Sequence, residues 1–240
     1  MTSPRTMAVG PTSIGSATLC PFCDMICQSS VWRTTHPRLS VSDMAMNMAH
    51  RLLCRSPVWE RRCVQRVVPW VVDGVDSRGS ALEIGPGYGA NIAALRAYFD
   101  EVAVVEIDPV LAAGLEARHP GLAVTNADGA NLPMPEKTYD TVTNFTMLHH
   151  VPTTKQQDSV FDEAFRVLRP GGVLAGCDTL DSISMRVLHV GDVFNPLDVN
   201  TLRDRLGRAG FTDVDLECRG GQVRMRAVRP HDGTAPSRCP

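Results

Sequence analysis

Between residues 79 and 229, short apolar runs alternate with amphipathic stretches. A continuous apolar run is typical of a strand that is buried in a parallel sheet, whereas apolar residues three and four positions apart indicate a helix. The pattern predicts seven strands, at residues 81–84, 102–107, 122–125, 139–145, 173–177, 212–217 and 222–228. Helices are predicted between them, at residues 91–98, 109–118, 154–168 and 199–209.

This order of strands and helices predicts the fold class. Strands that alternate with helices form a mainly parallel sheet with right-handed crossovers, and the helices cover both faces. The last two strands are joined by Arg219-Gly220-Gly221, a connection so short that the strands must form an antiparallel hairpin. We therefore predict an α/β fold, a Rossmann-like, doubly wound, mainly parallel sheet of seven strands whose last strand is antiparallel.

The chain before residue 79 divides into two parts. Residues 42–78 have apolar positions at helical spacing, so we predict helices there, with Ser42 or Asp43 as the first cap and an interruption or end at Pro69. We expect this helical extension to lie on the substrate side of the 79–229 domain as a lid. Residues 1–41 and 230–240 show no sustained period, so we expect them to be disordered tails.

The first tail contains a group of potential metal ligands. Cys20, Cys23, Cys27 and His36 could together supply four ligands to zinc, but their spacing is irregular. We therefore expect a tail without a metal site. A translation start placed too far upstream would leave the same pattern.

Composition narrows the function classes. The 240 residues carry a net charge of −2, which gives no general attraction to nucleic acid or to an anionic membrane. The sequence shows no uninterrupted apolar run of membrane-spanning length, and residues 1–19 lack the apolar core of a signal peptide. Most of the eight cysteines are scattered, which favours reduced thiols and a cytoplasmic location.

A glycine-rich turn follows the first predicted strand. Gly85, Gly87 and Gly89 lack Cβ atoms, so the backbone can turn sharply and a ligand can lie close to it. Asn91 is placed to cap the helix that follows. An acidic residue, Glu106, stands about 20 residues further on, as in dinucleotide-binding folds. These features alone are compatible with NAD, FAD or S-adenosylmethionine.

Four blocks of sequence together resemble the class I S-adenosylmethionine-dependent methyltransferases, in particular the methyltransferase type 11 group related to quinone-biosynthesis C-methyltransferases. The blocks are residues 83–89 (EIGPGYG), 105–109 (VEIDP), 126–129 (NADG) and 148–151 (LHHV) with 166–172 (RVLRPGG). Each block is a weak signal, but all four in this order are specific. The resemblance covers about three-fifths of the chain and implies S-adenosylmethionine as the cofactor.

The resemblance implies roles for the residues of the first block. Gly85 and Gly87 would pack against the methionine part and the ribose of the cofactor, and Gly89 would complete the same loop. Glu83 would meet the cofactor's ammonium group directly or through water. Local satisfaction of backbone amides is the alternative role for Glu83.

The later blocks imply further cofactor contacts. Glu106 would accept both ribose hydroxyls, with Ile107 beside it, because a carboxylate offers two acceptor oxygens. Asp128 would accept from the adenine amino group, and Gly129 would allow close backbone approach. Asn144 would line the methyl-donor end. Exposed strand-end acids are the alternative for Glu106 and Asp128.

The catalytic candidates follow the fourth predicted strand. A base is needed only if the methyl acceptor must lose a proton, and His150, or else His149, could serve as one. Either histidine could instead cap or pack the next helix. Asp178 is a further candidate, as is His189, which we expect at the surface. No metal-ligand spacing is visible in the domain, so we predict no metal ion.

The predicted acceptor is a small, partly apolar molecule, because the flanking segments lack the aromatic and basic stripe of a nucleic-acid site. Two alternatives remain open. A nicotinamide-dependent oxidoreductase would explain the glycines and Glu106, but not Asp128 or the final hairpin. A catalytically silent S-adenosylmethionine-binding protein would have the same fold.

Overall fold

The computed structural model describes residues 46–76 and 78–233. The predictions for residues 1–41, including Cys20, Cys23, Cys27 and His36, lie outside this part of the chain, as do those for most of residues 230–240. Within the described ranges, no helix combines the length and the apolar character that a membrane span requires.

Seven strands form a sheet in the order β3-β2-β1-β4-β5-β7-β6. They are β1 Ser80–Ile84, β2 Glu101–Glu106, β3 Ala123–Asn126, β4 Tyr139–Phe145, β5 Leu168–Thr179, β6 Thr212–Arg219 and β7 Gln222–Val228. The first five strands pair in parallel, and β7 runs antiparallel to both β5 and β6. The predicted fold class and its antiparallel last strand are confirmed.

Helices cover both faces of the sheet. They are α1 Met48–Cys54, α2 Pro57–Arg62, α3 Val68–Val71, α4 Ile92–Tyr98, α5 Pro109–Arg118, α6 Thr154–Val167, α7 Ile183–Leu188 and α8 Val199–Arg208. One core packs α6 and α8 on the sheet through residues such as Phe161, Leu202 and Leu206. A second core packs α3 and α4 on the opposite face through Val71 and Leu95.

The cap predicted at Ser42 or Asp43 lies outside the described residues, and the rest of the helical extension differs in one respect from its prediction. Within the described residues its first helix begins at Met48, with Asn47 as cap: the Asn47 side chain accepts from His50 N at 2.9 Å. The helix also continues through Pro69, which was expected to interrupt or end it. A π-helical turn, Cys63–Val67, precedes the proline. Such a turn shifts the hydrogen-bond pattern, so the missing proline N–H need not break the helix.

Two predicted caps have different outcomes. Asp108 caps α5 as predicted, and its Oδ1 accepts from Val110 N at 2.8 Å and from Leu111 N at 3.2 Å. Asn91 occupies the N-cap position of α4 as predicted, but its side chain makes no cap hydrogen bond, so the predicted capping interaction is wrong. It donates instead to a buried carboxylate, described below.

Candidate active site

A cavity of about 770 Å³ opens at the carboxyl ends of β1, β2 and β4. The sheet order reverses between β1 and β4, and such switch points are the usual ligand sites of open α/β sheets. The glycine-rich turn lines one side of the cavity, whereas α1, α2 and α7 supply Leu53, Trp59 and Met185 on the other. Arg51 Nε of α1 donates to Tyr88 Oη at 3.3 Å, which links the extension to the turn.

The three glycines of the turn have positive φ angles but different surroundings. A Cβ at Gly85 (φ 69°) would collide with the Met147 side chain, whereas one at Gly87 (φ 57°) would enter open space. Gly87 therefore presents its backbone to the cavity. Gly89 does not line the cavity, and a Cβ there would lie 2.7 Å from Leu115 Cδ2. The local role of Gly89 is to let the turn pack on α5.

Glu106 is fixed at the edge of the cavity by backbone amides. It is 5% exposed, its Oε2 accepts from Gly87 N at 2.9 Å, and its Oε1 accepts from Asp108 N at 3.0 Å. Burial raises the pKa of this carboxyl, and the two amides act in the opposite direction. Each oxygen keeps a second lone pair, so the carboxylate can still accept from a ligand hydroxyl.

Glu83 lies behind the turn and does not line the cavity. Its Oε1 accepts from Asn91 Nδ2 at 2.8 Å, whereas Oε2 is buried and has no hydrogen-bond partner among the described residues. Burial raises the pKa of Glu83 to about 7, although the Asn91 hydrogen bond lowers it; the charge of Glu106 adds to the rise. A cationic ligand group would relieve the cost of this buried carboxylate.

The predicted adenine end is formed mainly by backbone. Ala127 and Gly129 line the cavity with Ile107, but Asp128 itself does not. Asp128 Oδ1 accepts from Ala130 N at 2.8 Å and so shapes the turn after β3. A Cβ at Gly129 would lie 2.6 Å from Ile84 Cγ2, so the close packing of this turn requires glycine.

Asn144 is also set back from the cavity. It is 1% exposed in β4, and its side chain packs against Gly176 of β5, where a Cβ would collide with it. Neither its Nδ2 nor its Oδ1 has a hydrogen-bond partner within the described part of the chain. The expected position of Asn144 at the methyl-donor end is therefore a prediction that this geometry does not directly support.

Four buried histidines meet beside the same cavity. His149 and His150 form a short 3-10 turn after β4, His50 belongs to α1, and His189 follows α7. Ring centroids of His149 and His150 lie 4.1 Å apart, and those of His50 and His189 lie 4.4 Å apart. The surface position expected for His189 is wrong: the residue is 3% exposed, because it packs against the other imidazoles and Phe194.

Each of these rings is held by a hydrogen bond. His149 Nδ1 lies 2.5 Å from Asp178 Oδ1, and His50 Nδ1 lies 3.4 Å from Asp192 Oδ2. His189 Nδ1 donates to the Met185 carbonyl at 2.8 Å, and His150 bonds to the backbone of Val193. The remaining nitrogens of three of the rings, His149 Nε2, His150 Nδ1 and His189 Nε2, are buried without a partner in the described structure.

The comparisons with known proteins agree on one family. Residues 82–176 match the family model of a methyltransferase domain. A "probable S-adenosylmethionine-dependent methyltransferase" of Mycolicibacterium smegmatis is 37% identical over 162 residues, which are 60% of this chain and 61% of the relative. A similarly named protein of Mycobacterium tuberculosis is 36% identical over 137 residues, covering 55% of this chain and 47% of the relative.

A solved structure has the same fold. The N-methyltransferase NodS from Bradyrhizobium japonicum WM9, in complex with S-adenosylhomocysteine, superposes with a TM-score of 0.60. It is 20% identical, and the match covers 79% of this chain and 96% of that one. Residues 82–176 are therefore similar to a methyltransferase domain, and the fold is the one that NodS has.

The predicted resemblance to methyltransferases is confirmed for residues 82–176. The names of the relatives agree with the predicted enzyme class and with S-adenosylmethionine as the cofactor. The chain spans about half to three-fifths of the length of the curated relatives that it matches.

The sequence did not reveal that the four histidines lie close together. His149 and His150 were singled out because they follow β4, but His50 carried no local signal. The prediction that the domain holds no metal ion relied on spacing along the chain. Spacing cannot detect ligands that three separate segments bring together.

Proposed function

We propose that this protein transfers a methyl group from S-adenosylmethionine to a small, partly apolar acceptor by in-line displacement. The observation that carries the proposal is the link between Glu106 and Gly87 at the edge of a 770 Å³ cavity in a methyltransferase domain. One amide hydrogen bond fixes both the acidic group and the glycine backbone that the cofactor would approach. Little reorganisation would then accompany binding.

The described residues fit the cofactor. Glu106 would accept the ribose hydroxyls, Gly87 would allow close approach, and Gly129 would face the adenine. Glu83 is set back, so its unpartnered oxygen would act on the ammonium group through water or through its field. The bound cofactor supplies a methyl group on a sulfonium, which is already activated for transfer.

The protein's main contribution would be to orient the acceptor and exclude water. An in-line approach is itself a large part of the rate in such reactions. The side chains opposite the glycine turn are largely apolar, including Leu53, Val58, Trp59, Met185 and Leu188, which favours an acceptor with apolar surface. A general-base role for His150 or His149 stays a prediction and is not part of this proposal.

The proposal also covers the kind of acceptor that is excluded and the cellular location of the protein. We infer that nucleic acid is not the acceptor, because the net charge of −2 gives no general electrostatic attraction to phosphates. We also infer a cytoplasmic location, since the cysteines at positions 54, 63, 177 and 218 form no disulfide with one another in the described part of the chain.

Calorimetric titration with S-adenosylhomocysteine and, separately, with NADH tests the cofactor. We expect binding of S-adenosylhomocysteine alone, and binding of NADH alone would overturn the proposal. Release of S-adenosylhomocysteine is then measured across a panel of small apolar acceptors. Binding with no turnover on any member of a broad panel would favour a catalytically silent cofactor-binding protein.

A further inference from the structure

The four histidines beside the cavity have the composition and proximity of a metal site. Each ring offers one nitrogen, and these nitrogens all lie within 4.8 Å of one another. Every one of the four residues is buried, with exposures of 2–8%. Imidazole nitrogen is a preferred ligand of zinc and of neighbouring divalent transition metals.

The outer hydrogen bonds match those of metal-bound histidines. A metal-ligating histidine usually donates its other ring N–H to a carboxylate or a backbone carbonyl. His149 and His50 face Asp178 and Asp192, whereas His189 faces a backbone carbonyl. These contacts orient the rings and leave their second nitrogens available.

The inner nitrogens are costly without a ligand. A buried polar atom that lacks a hydrogen bond destabilises the folded state, and the described cluster contains three such atoms, on His149, His150 and His189. A bound metal ion would be coordinated by the lone pairs of these nitrogens.

We propose that His50, His149, His150 and His189 bind one divalent transition-metal ion, with Zn²⁺ as the best fit. A tetrahedral zinc site with Zn–N bonds of about 2.0–2.1 Å requires nitrogens about 3.3 Å apart, so the distances between the nitrogens would shorten by up to roughly 1.5 Å on binding. The carboxylates of Asp178 and Asp192 would offset the positive charge. Three of the four ligands, His50, His149 and His150, line the cavity, so the ion would lie in the cavity wall. We call this part of the cavity its acceptor end.

This site would also join separate parts of the fold. His50 comes from α1, His189 follows α7, and His149 and His150 follow β4, so one ion would hold two flanking segments against the sheet. Metal binding at His149 Nε2 would use the lone pair that a general base needs. The two roles therefore cannot operate on that atom at the same time.

The test is metal binding to the full-length chain after removal of bound metal with a chelator. Zn²⁺ is titrated in the presence of a competing chromophoric chelator, and X-ray absorption identifies the ligand atoms. We expect one ion with a shell of four nitrogen ligands and no sulfur, and a rise in Tm with Zn²⁺ because the ion binds the folded state. The double variant His50→Ala/His189→Ala should lose at least about a hundredfold in affinity.

Matched variants separate this site from other ligands. His119→Ala removes a histidine outside the cluster and should leave Zn²⁺ affinity unchanged. Asp192→Asn removes an outer partner and should cost about 10–100-fold. The triple variant Cys20→Ser/Cys23→Ser/Cys27→Ser should retain the ion.

Three results with the metal or the variants would overturn the metal proposal, and a fourth concerns the wild-type chain. They are a sulfur shell around the metal, loss of binding in the triple cysteine variant, and unchanged affinity in the double histidine variant. The absence of any saturable Zn²⁺ binding by the folded wild-type chain would overturn it equally. None of these readouts depends on methyl transfer. Failure of the metal proposal would therefore leave the proposed function untouched, and failure of the proposed function would leave the metal proposal untouched.

Discussion

The cofactor end and the acceptor end of the cavity are built in contrasting ways. At the cofactor end, the backbone amides of Gly87 and Asp108 hold the Glu106 carboxylate. One amide is two residues away in the chain, and the other belongs to the turn after the neighbouring strand. At the acceptor end, His50 and His189 come from segments 139 positions apart and meet through side chains. Backbone contacts tolerate change in neighbouring side chains, whereas the histidine cluster depends on how the outer segments pack.

The largest effect that we expect at the cofactor end concerns Glu83. Its pKa is raised from 4.5 to about 7, so the folded state favours the protonated acid. The contribution of protonated Glu83 to the free energy of unfolding is fully present below pH 4.5. It is lost as the pH rises through about 7. The shift corresponds to about 3 kcal/mol of unfolding free energy.

Urea unfolding at pH 5 and pH 8 measures this effect. Between these values, wild type should lose stability relative to Glu83→Gln, which cannot ionise. Glu106 lies beside Glu83 and is present in both proteins. The Cys63 thiol also feels the Glu83 charge, but its pKa of about 12 lies above this pH range, with burial as the main cause. Parallel pH profiles for the two proteins would show that Glu83 does not titrate in this range. Glu101→Gln, an exposed change on β2, is the control.

Loss of the Glu106 carboxylate should weaken cofactor binding more than folding. Glu106→Ala removes a charged hydrogen-bond acceptor, so the binding free energy of S-adenosylhomocysteine should fall by about 1.5–3 kcal/mol. Calorimetry measures the dissociation constant, with Glu101→Ala as the matched change on the same strand. An unchanged dissociation constant would remove Glu106 from the site.

The two glycines of the turn should respond differently to alanine. Both substitutions carry the strain of a positive φ, which costs roughly 1–2 kcal/mol. Gly85→Ala adds a collision with Met147 and should mainly lower Tm, whereas Gly87→Ala adds a methyl group to open cavity space and should also weaken cofactor binding. Equal losses of Tm and of affinity in both variants would contradict the distinction.

The smallest effect should appear at the acceptor end. Met185→Ala in α7 removes apolar surface from the cavity wall. It should raise the KM for the acceptor roughly fivefold, which corresponds to about 1 kcal/mol of binding free energy. The dissociation constant of S-adenosylhomocysteine should stay the same. Ile183→Ala, on the same helix but 84% exposed, is the control. An equal rise in KM for both variants would place acceptor recognition elsewhere.

The sequence by itself determined the elements that depend on neighbours in the chain. The alternation of apolar runs predicted the strands, and the short connection after β6 required a hairpin. Asp108 could be predicted as a cap because its partners are two and three residues away. The glycine turn and Glu106 were visible because their spacing follows from strand and helix lengths.

Only the tertiary structure decided what each buried polar group contacts. Asn91 stands at the cap position of α4, but its side chain donates a hydrogen bond to the buried carboxylate of Glu83 instead of to the helix. Asp128 and Asn144 match the expected positions in the sequence, yet neither lines the cavity. The four histidines meet because α1 and the segment after α7 pack against the end of β4. Their proximity depends on long-range packing, which no local spacing encodes.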